Sequence, residues 1–306
     1  MVRAPLMLPP ALHRRLDAAV ARLYEPEGRP REDFSQPVGE AALAAPDSVS
    51  WTVLKNPVVL FIGGVAAVVL ELAEPRVRTG VWEHTSFRER PLDRLRRTAL
   101  ATVMTVYGPK SRAEAMIAQV TRLHGRVRGV TPNGEPYGAT DPELLTWVQA
   151  TAAFGFLEAY HTYVRPLPDN ERDRFYAEGA PVARLYGATQ SPRSQAELAA
   201  LFDRMRDRLE PSPIVLEFLG IVRRMPALAA PLRPVQGLLV RAAIDILPPW
   251  LRERLGLAAW APAPWQRRIA QRLAAQADRL LLGSSAAVQS CRRLGLPADY
   301  LYTGSR

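Results

Sequence analysis

Apolar residues recur every three or four positions along most of this chain, and long runs of alternating Val, Ile or Thr are missing. Spacing of this kind is typical of amphipathic helices that bury one face, whereas strands repeat every second residue. Ala, Leu and Arg dominate the composition, and Gly and Pro fall mainly between the periodic segments. The pattern therefore predicts an all-α fold, a single large helical domain.

The most hydrophobic stretch, residues 56–70, predicts a buried central helix. Its 15 residues fall short of the roughly 20 that cross a bilayer. Ser50 or Asn56 is expected to cap this helix, and Pro57 suits its first turn. Gly63 and Gly64 lie in its middle, where each lowers the stability of the helix by about 1 kcal/mol relative to Ala. Close helix packing and a flat cofactor against the backbone both remain open as explanations.

A second helix is predicted to begin after Pro91 and to end at Gly108. Arg94, Arg97 and Thr98 lie on one face of it, because they are spaced i, i+3 and i+4. These side chains form either a solvated face with acidic partners or the positive lip of a pocket for carboxylates or an anion.

A third helix carries a histidine, His124, close to its apolar side. Ser111 is expected to act as N-cap, with Glu114 three residues later as in a capping box. Its apolar stripe is predicted to comprise Met116, Ile117, Val120, Leu123 and Val127. A neutral imidazole beside such a stripe either hydrogen-bonds a buried partner or offers a ring nitrogen to a metal.

The formal charge of +10 raises nucleic acid or an anionic membrane as partners. Of the 40 basic residues, however, only Lys55 and Lys110 are lysines, and the arginines are scattered, often beside acids. No track of basic and aromatic residues appears, so nucleic-acid binding is not expected. Peripheral contact with an anionic membrane stays open, because a basic protein with an apolar helix can sit on such a surface.

Cysteine usage and known motifs narrow the possible chemistry further. Cys291 is the lone cysteine, which rules out an intramolecular disulfide and favours a reducing compartment, and no secretory signal is recognisable. A cytoplasmic location is therefore expected. Phosphate-binding glycine loops, the HExxH zinc motif and the serine nucleophile elbow are all missing. The other histidines, His13, His84 and His161, are expected at the surface and are too dispersed for a zinc site.

Four ordered segments carry a family resemblance: EHTSFRERPLDRLRRTA, VTRLHGRVRG, YGATDPELLTWVQAT and FYAEGAPVARLYG. Together they resemble the latex-clearing-protein and MpaB-type oxygenase family over about residues 48–215. This resemblance divides the chain into an N-terminal helix and loop (1–47), an oxygenase-like helical core (48–215) and C-terminal helices packing on the core (216–306).

The resemblance implies a domain that binds haem b between two helices, with His124 as the proximal iron ligand. It also implies that Arg94, Arg97 and Thr98 lie over the opposite haem face as distal residues. The implied function is that of a haem-dependent oxygenase, which uses dioxygen on an apolar, isoprenoid or lipid-like substrate. The alternative is a non-catalytic haem binder, or a helical membrane-surface or interaction protein, that keeps the fold.

Three positions depart from the family pattern. Rubber-cleaving members have a lysine where Arg97 aligns, and lysine can lose its proton and bind iron whereas arginine effectively cannot. The distal coordination position is therefore expected to be open, held by water or governed by Arg94 and Arg97. Many relatives also have histidines where this chain has Gln149 and Glu74, so His124 is the one motif histidine of the central helices.

Overall fold

The computed structural model describes residues 5–22, 25–28, 30–228 and 230–303. These residues contain fourteen α-helices and one two-stranded sheet, which confirms the prediction of an all-α, single helical domain. The helices are α1 (Pro10–Arg22), α2 (Val49–Leu54), α3 (Pro57–Ala73), α4 (Pro75–His84), α5 (Pro91–Tyr107), α6 (Lys110–His124), α7 (Pro142–Tyr163), α8 (Asp169–Leu185), α9 (Gln195–Met205), α10 (Pro213–Arg224), α11 (Arg233–Asp245), α12 (Pro249–Arg254), α13 (Pro264–Ala277) and α14 (Ala286–Arg293). The antiparallel strands are β1 (Arg128–Val130) and β2 (Pro136–Gly138).

Helix α3 is the buried central helix that the hydrophobic stretch predicts. The side chain of Asn56 caps it by accepting hydrogen bonds from the N–H groups of Val58 and Val59, and Pro57 occupies its first turn. Glu74 and Pro75 then end α3 and start α4, whose axis is bent by 110° from that of α3. The predicted N-terminal cap is therefore confirmed, and the helix ends at Ala73, three residues beyond the hydrophobic stretch.

The two adjacent glycines of α3 have different surroundings. A Cβ atom on Gly63 would lie 2.8 Å from the backbone C and O of Gly155 on α7, so the two helices cross in backbone contact. This crossing confirms close packing as the reason for Gly63. A Cβ atom on Gly64 would meet nothing within 4 Å. Gly64 thus faces open space, and helix packing does not explain it.

One hydrophobic core runs through the fold from Phe34 to Tyr302. Helices α10, α11 and α13, which lie wholly or mostly after residue 215, pack directly against α3. Helix α5 packs against α2, α6 and α14, and it is not among the close neighbours of α3 in the described part of the chain. The α5–α6 pair therefore stands apart from the central helix.

Arg293 fastens the N-terminal segment to this core. Its side chain is 1% exposed and donates to the carbonyl oxygens of Phe34 and Tyr107 at 2.7 Å and of Glu40 at 2.8 Å. A buried guanidinium needs such partners, because an unpaired buried charge is strongly unfavourable. The long loop before α2 is consequently held against the end of α5.

The predicted N-terminal cap of α6 is wrong. Helix α6 begins at Lys110 after Pro109 and not with Ser111 as its cap; the N–H of Ser111 instead donates to Glu40. The turn-rich connection after α6 contains the β1–β2 hairpin. Helix α8 continues through Gly179 and Pro181, and α13 ends at Ala277, before Gly283.

Within the described residues, no single helix is long and apolar enough to cross a membrane. Helices α3 and α4 pass the length and composition criteria when they are taken together as a bent pair.

Candidate functional site

One face of α3 is only partly buried, in contrast to the rest of this helix. Phe61, Gly64, Val68 and Glu71 lie along it at helical intervals. Glu71 is the one charged residue within α3. This face therefore presents a carboxyl group at the end of an otherwise apolar strip, next to the open space at Gly64.

Three ionisable side chains from three helices come together beside this face: Glu71 of α3, Arg94 of α5 and His124 of α6. Burial raises the pKa of Glu71 to about 7, although the positive charge of Arg94 opposes the shift. Burial lowers the pKa of Arg94, and the Glu71 carboxylate counteracts that effect. The guanidinium nevertheless stays charged, because arginine is effectively always protonated in proteins.

The surroundings of the His124 imidazole favour its neutral form. Burial lowers its pKa below the ordinary value of 6.5, and the positive charge of Arg94 lowers it further. A neutral imidazole has a free lone pair on one ring nitrogen, which is the form that binds a metal.

None of these three side chains forms a hydrogen bond or an ion pair with another described residue. Partly buried polar groups in a folded protein usually have such a partner. Three unpaired polar groups beside an open, glycine-lined strip therefore form a candidate ligand site.

The position of His124 differs in one respect from the predicted pattern. Ala113, Ile117, Val120 and His124 share the inner face of α6, whereas Leu123 is 52% exposed. His124 is thus part of the inner stripe, and Leu123 is not. Gly125 follows directly at the helix end.

Of the three predicted distal residues, Arg94 is the one whose positive charge lowers the pKa of His124. The guanidinium of Arg97 instead pairs with Asp93, with Nε 2.8 Å from Oδ2, and its side chain is 43% exposed. Asp93 is buried and also accepts the N–H of Glu27 at 3.0 Å. Thr98 is exposed, and its hydroxyl donates to the carbonyl oxygen of Arg94 at 3.0 Å.

The other motif positions serve local structure. Glu74 is 1% exposed, caps α4 through the N–H of Val77 and pairs with Arg76, whose Nε lies 2.7 Å away. Gln149 is partly buried on α7. Glu74 is thus fully engaged at the start of α4.

The three remaining histidines all have specific partners, and Nε2 of His13 lies 2.8 Å from the carbonyl oxygen of Leu281. His84, expected as a solvated loop residue, ends α4 with its Nε2 3.1 Å from the hydroxyl of Tyr137. His161 accepts the N–H of Leu167 through Nδ1 at 3.1 Å. These hydrogen bonds distinguish all three residues from His124.

Glu71 is the site residue that the sequence interpretation missed. It stood at the polar boundary of a hydrophobic run, where a charged residue usually marks only the end of the buried stretch. The available signal was its spacing, because Glu71 lies seven residues after Gly64 and therefore on the same helix face.

A haem group needs particular side chains in its binding site. It requires one axial nitrogen from the protein and commonly a cation for its propionates, which His124 and Arg94 are able to supply. Gly64, two helical turns before Glu71 on the same face of α3, adds a stretch of backbone without a side chain that faces open space. The residues present therefore fit the group. No cluster of three or more His, Cys, Asp or Glu side chains that could hold a metal ion occurs among the described residues.

Comparison with known proteins identifies a family. No curated protein and no solved structure matches this chain significantly. The sequence model of one family, described as ER-bound oxygenase mpaB/B'/Rubber oxygenase, catalytic domain, matches residues 51–279, which are 229 of the 306 residues. The match includes α3, α5 and α6 with all three clustered side chains and extends past residue 215 to just beyond the end of α13. The chain therefore belongs to the family of mpaB and rubber oxygenase catalytic domains.

Proposed function

We propose that this protein is a haem b-dependent oxygenase that uses dioxygen on an apolar substrate of isoprenoid or lipid-like character. The observation that carries the proposal is the neutral, unpaired imidazole of His124 on the inner face of α6, beside Arg94 and Glu71. Membership in an oxygenase family supports the oxygenase activity.

Haem b, when bound, would supply the oxygen chemistry itself. His124 would hold the iron through a ring nitrogen. Arg94 would anchor a propionate or donate hydrogen bonds close to the reacting oxygen. Arg94 would be the α5 side chain nearest the haem, because Thr98 is exposed and the Asp93 carboxylate holds the exposed Arg97 guanidinium. Arginine at position 97 would leave the distal coordination position open, because this side chain does not deprotonate.

Glu71 would handle protons in this site. A carboxyl group with a pKa of about 7 is partly protonated at neutral pH, so its oxygens can both accept and release a proton. The positive charge of Arg94 is the neighbour that limits how far its pKa rises. Glu71 would accordingly act as an acid or base for a substrate that lies along the α3 strip.

The apolar strip would recognise the substrate. Phe61 and Val68 on α3, with Val148 and Phe156 on α7, are partly buried and pack against the core. Binding sites for small molecules are mostly apolar, with a few polar groups that set orientation. A hydrocarbon chain therefore matches this lining better than a charged substrate.

The visible spectrum of the purified protein tests haem binding. We expect a Soret band in the wild type that is lost in His124→Ala and kept in the matched control His161→Ala, whose imidazole already accepts a backbone N–H. A wild type that stays colourless after haem supplementation would refute the proposal. Equal loss of the band in both variants would refute the assignment to His124.

Oxygen consumption separates an enzyme from a non-catalytic haem binder. The assay supplies squalene or a polyisoprene emulsion to wild type and to Arg94→Gln. We expect substrate-dependent oxygen uptake in the wild type and a loss on the order of a hundredfold in Arg94→Gln, because a positioned donor next to the reacting atoms contributes about that much. A haem-loaded wild type without uptake on any apolar alkene would favour the non-catalytic alternative.

A further inference from the structure

A large cleft lies at the other end of α3, away from Glu71. It has a volume of about 990 Å³ and is formed by α2, the end of α7, the start of α8, α13 and residues 300–302. Lys55 lies in it, 16 residues before Glu71, which corresponds to roughly 24 Å along a helix. His124, Arg94 and Glu71 are not among its lining residues. The cleft is therefore separate from the candidate oxygenase site.

The lining of this cleft is strongly basic, with six cationic side chains against two carboxylates. Three of the cations are neutralised by acids. Lys55 pairs with Asp278 at 2.7 Å, Arg165 with Glu171 at 3.4 Å, and Arg174 with Glu178 at 2.5 Å. The uncompensated charge of the lining consequently includes Arg268 and Arg272, both on α13.

Arg268 and Arg272 are one helical turn apart and both exposed. In the described part of the chain neither guanidinium has a carboxylate within ion-pair distance or a hydrogen-bond acceptor. Between them, Gln271 donates from Nε2 to the carbonyl oxygen of Thr162 on α7 at 3.1 Å. This contact fixes the face of α13 that carries the two arginines against the cleft.

Other lining groups suit an anionic ligand with an organic part. His161 accepts the N–H of Leu167 through Nδ1, so its neutral ring has the proton on Nε2 and can act as a donor. The hydroxyl of Tyr300 forms no hydrogen bond with another described residue. Val49, Val164 and Leu301 provide apolar surface in the same cleft.

We propose that this cleft binds a phosphorylated organic molecule in which two adjacent phosphoryl groups pair with Arg268 and Arg272. A guanidinium fork matches phosphate oxygens in geometry and charge. Side chains at i and i+4 have Cβ atoms about 5–6 Å apart, which allows each arginine to take one phosphoryl group of a diphosphate. The volume greatly exceeds that of an inorganic anion, and the apolar wall accommodates the organic remainder.

Titration calorimetry with inorganic pyrophosphate tests this proposal on the full chain. We expect binding that weakens as the salt concentration rises, with about tenfold lower affinity in each of Arg268→Gln and Arg272→Gln. The matched control is Arg267→Gln on the same helix, which removes the same charge from a side chain that pairs with Asp245 and does not line the cleft. Equal weakening in the control, or no pyrophosphate binding by a wild type with an unchanged melting temperature, would overturn the proposal.

A second experiment distinguishes a free phosphorylated molecule from a lipid headgroup. Trp265 and Ile269, which are 61% and 39% exposed, flank Arg268 on α13 and would suit the surface of a bilayer. Sedimentation with phosphatidylcholine vesicles containing phosphatidic acid is therefore compared with pyrophosphate binding. Cosedimentation that is lost in Arg268→Gln and Arg272→Gln identifies a lipid phosphate as the source. Pyrophosphate binding without such cosedimentation identifies a soluble ligand, and both results support the cleft as a phosphate site.

Discussion

Replacing Glu71 with glutamine removes the one charge within α3 while keeping the size of the side chain. Burial raises the pKa of this carboxyl from its ordinary value of 4.5 to about 7 in the folded protein. Between these two values the folded protein holds a proton that the unfolded chain has released. The free energy of unfolding of the wild type therefore falls as the pH rises from 4.5 to about 7. Above pH 7 the whole contribution of the Glu71 shift has been lost.

The size of this effect follows from the shift. A rise from 4.5 to about 7 corresponds to at most about 3 kcal/mol of unfolding free energy. The attraction to Arg94 is already contained in this value, since it lowers the pKa. Glu71→Gln does not titrate, so it should gain up to that amount relative to wild type between pH 5 and pH 8.5.

Urea unfolding of both proteins at the two pH values measures the gain. The matched control is Glu114→Gln, which removes an exposed carboxylate on α6 and should stay within about 0.5 kcal/mol of wild type at both pH values. A difference between Glu71→Gln and wild type that does not change with pH would refute the reasoning. It would mean that the Glu71 carboxyl is solvated like a surface group.

Two further predictions concern packing and buried polar groups, and chemical denaturation measures both. Gly63→Ala should lower the free energy of unfolding by about 1–3 kcal/mol, because the new Cβ collides with the backbone of Gly155. Gly64→Ala, whose Cβ meets open space, should raise it by up to about 1 kcal/mol. Equal effects of the two substitutions would contradict the helix crossing. Arg293→Met should lower the free energy of unfolding by about 3 kcal/mol or more, because three carbonyl oxygens lose their buried donor. A loss below about 1 kcal/mol would show that water replaces the guanidinium as donor.

The sequence predicts those parts of the structure that depend on local signals. The cap of α3 is predictable because Asn56 and Pro57 act within one turn. Arg94 and His124 stand in motif segments, and their roles stay predictions. The Ser111 cap is wrong because Glu40, 71 residues earlier in the chain, takes the N–H of Ser111. Contacts between residues so far apart depend on how the loops pack, which local spacing does not encode.

The candidate site shows the same limit. Spacing places Arg94 and Arg97 on one side of α5, and the i, i+4 spacing of Asp93 and Arg97 also accounts for their ion pair, but no spacing within α5 points to Glu71 of α3. Glu71 joins the site through the way α3 and α5 face each other in three dimensions. A single sequence contains no direct signal for such a pairing of helices.

The backbone contact between Gly63 and Gly155 has a mechanical consequence for the candidate site. Where two helices touch without side chains between them, no rotamer change can widen or narrow the gap. Helices α3 and α7 therefore form a fixed wall with the apolar strip on its surface. A ligand on this strip would therefore meet a fixed surface on the side of Glu71, and adjustment to its size would fall to the side chains of Arg94 on α5 and His124 on α6.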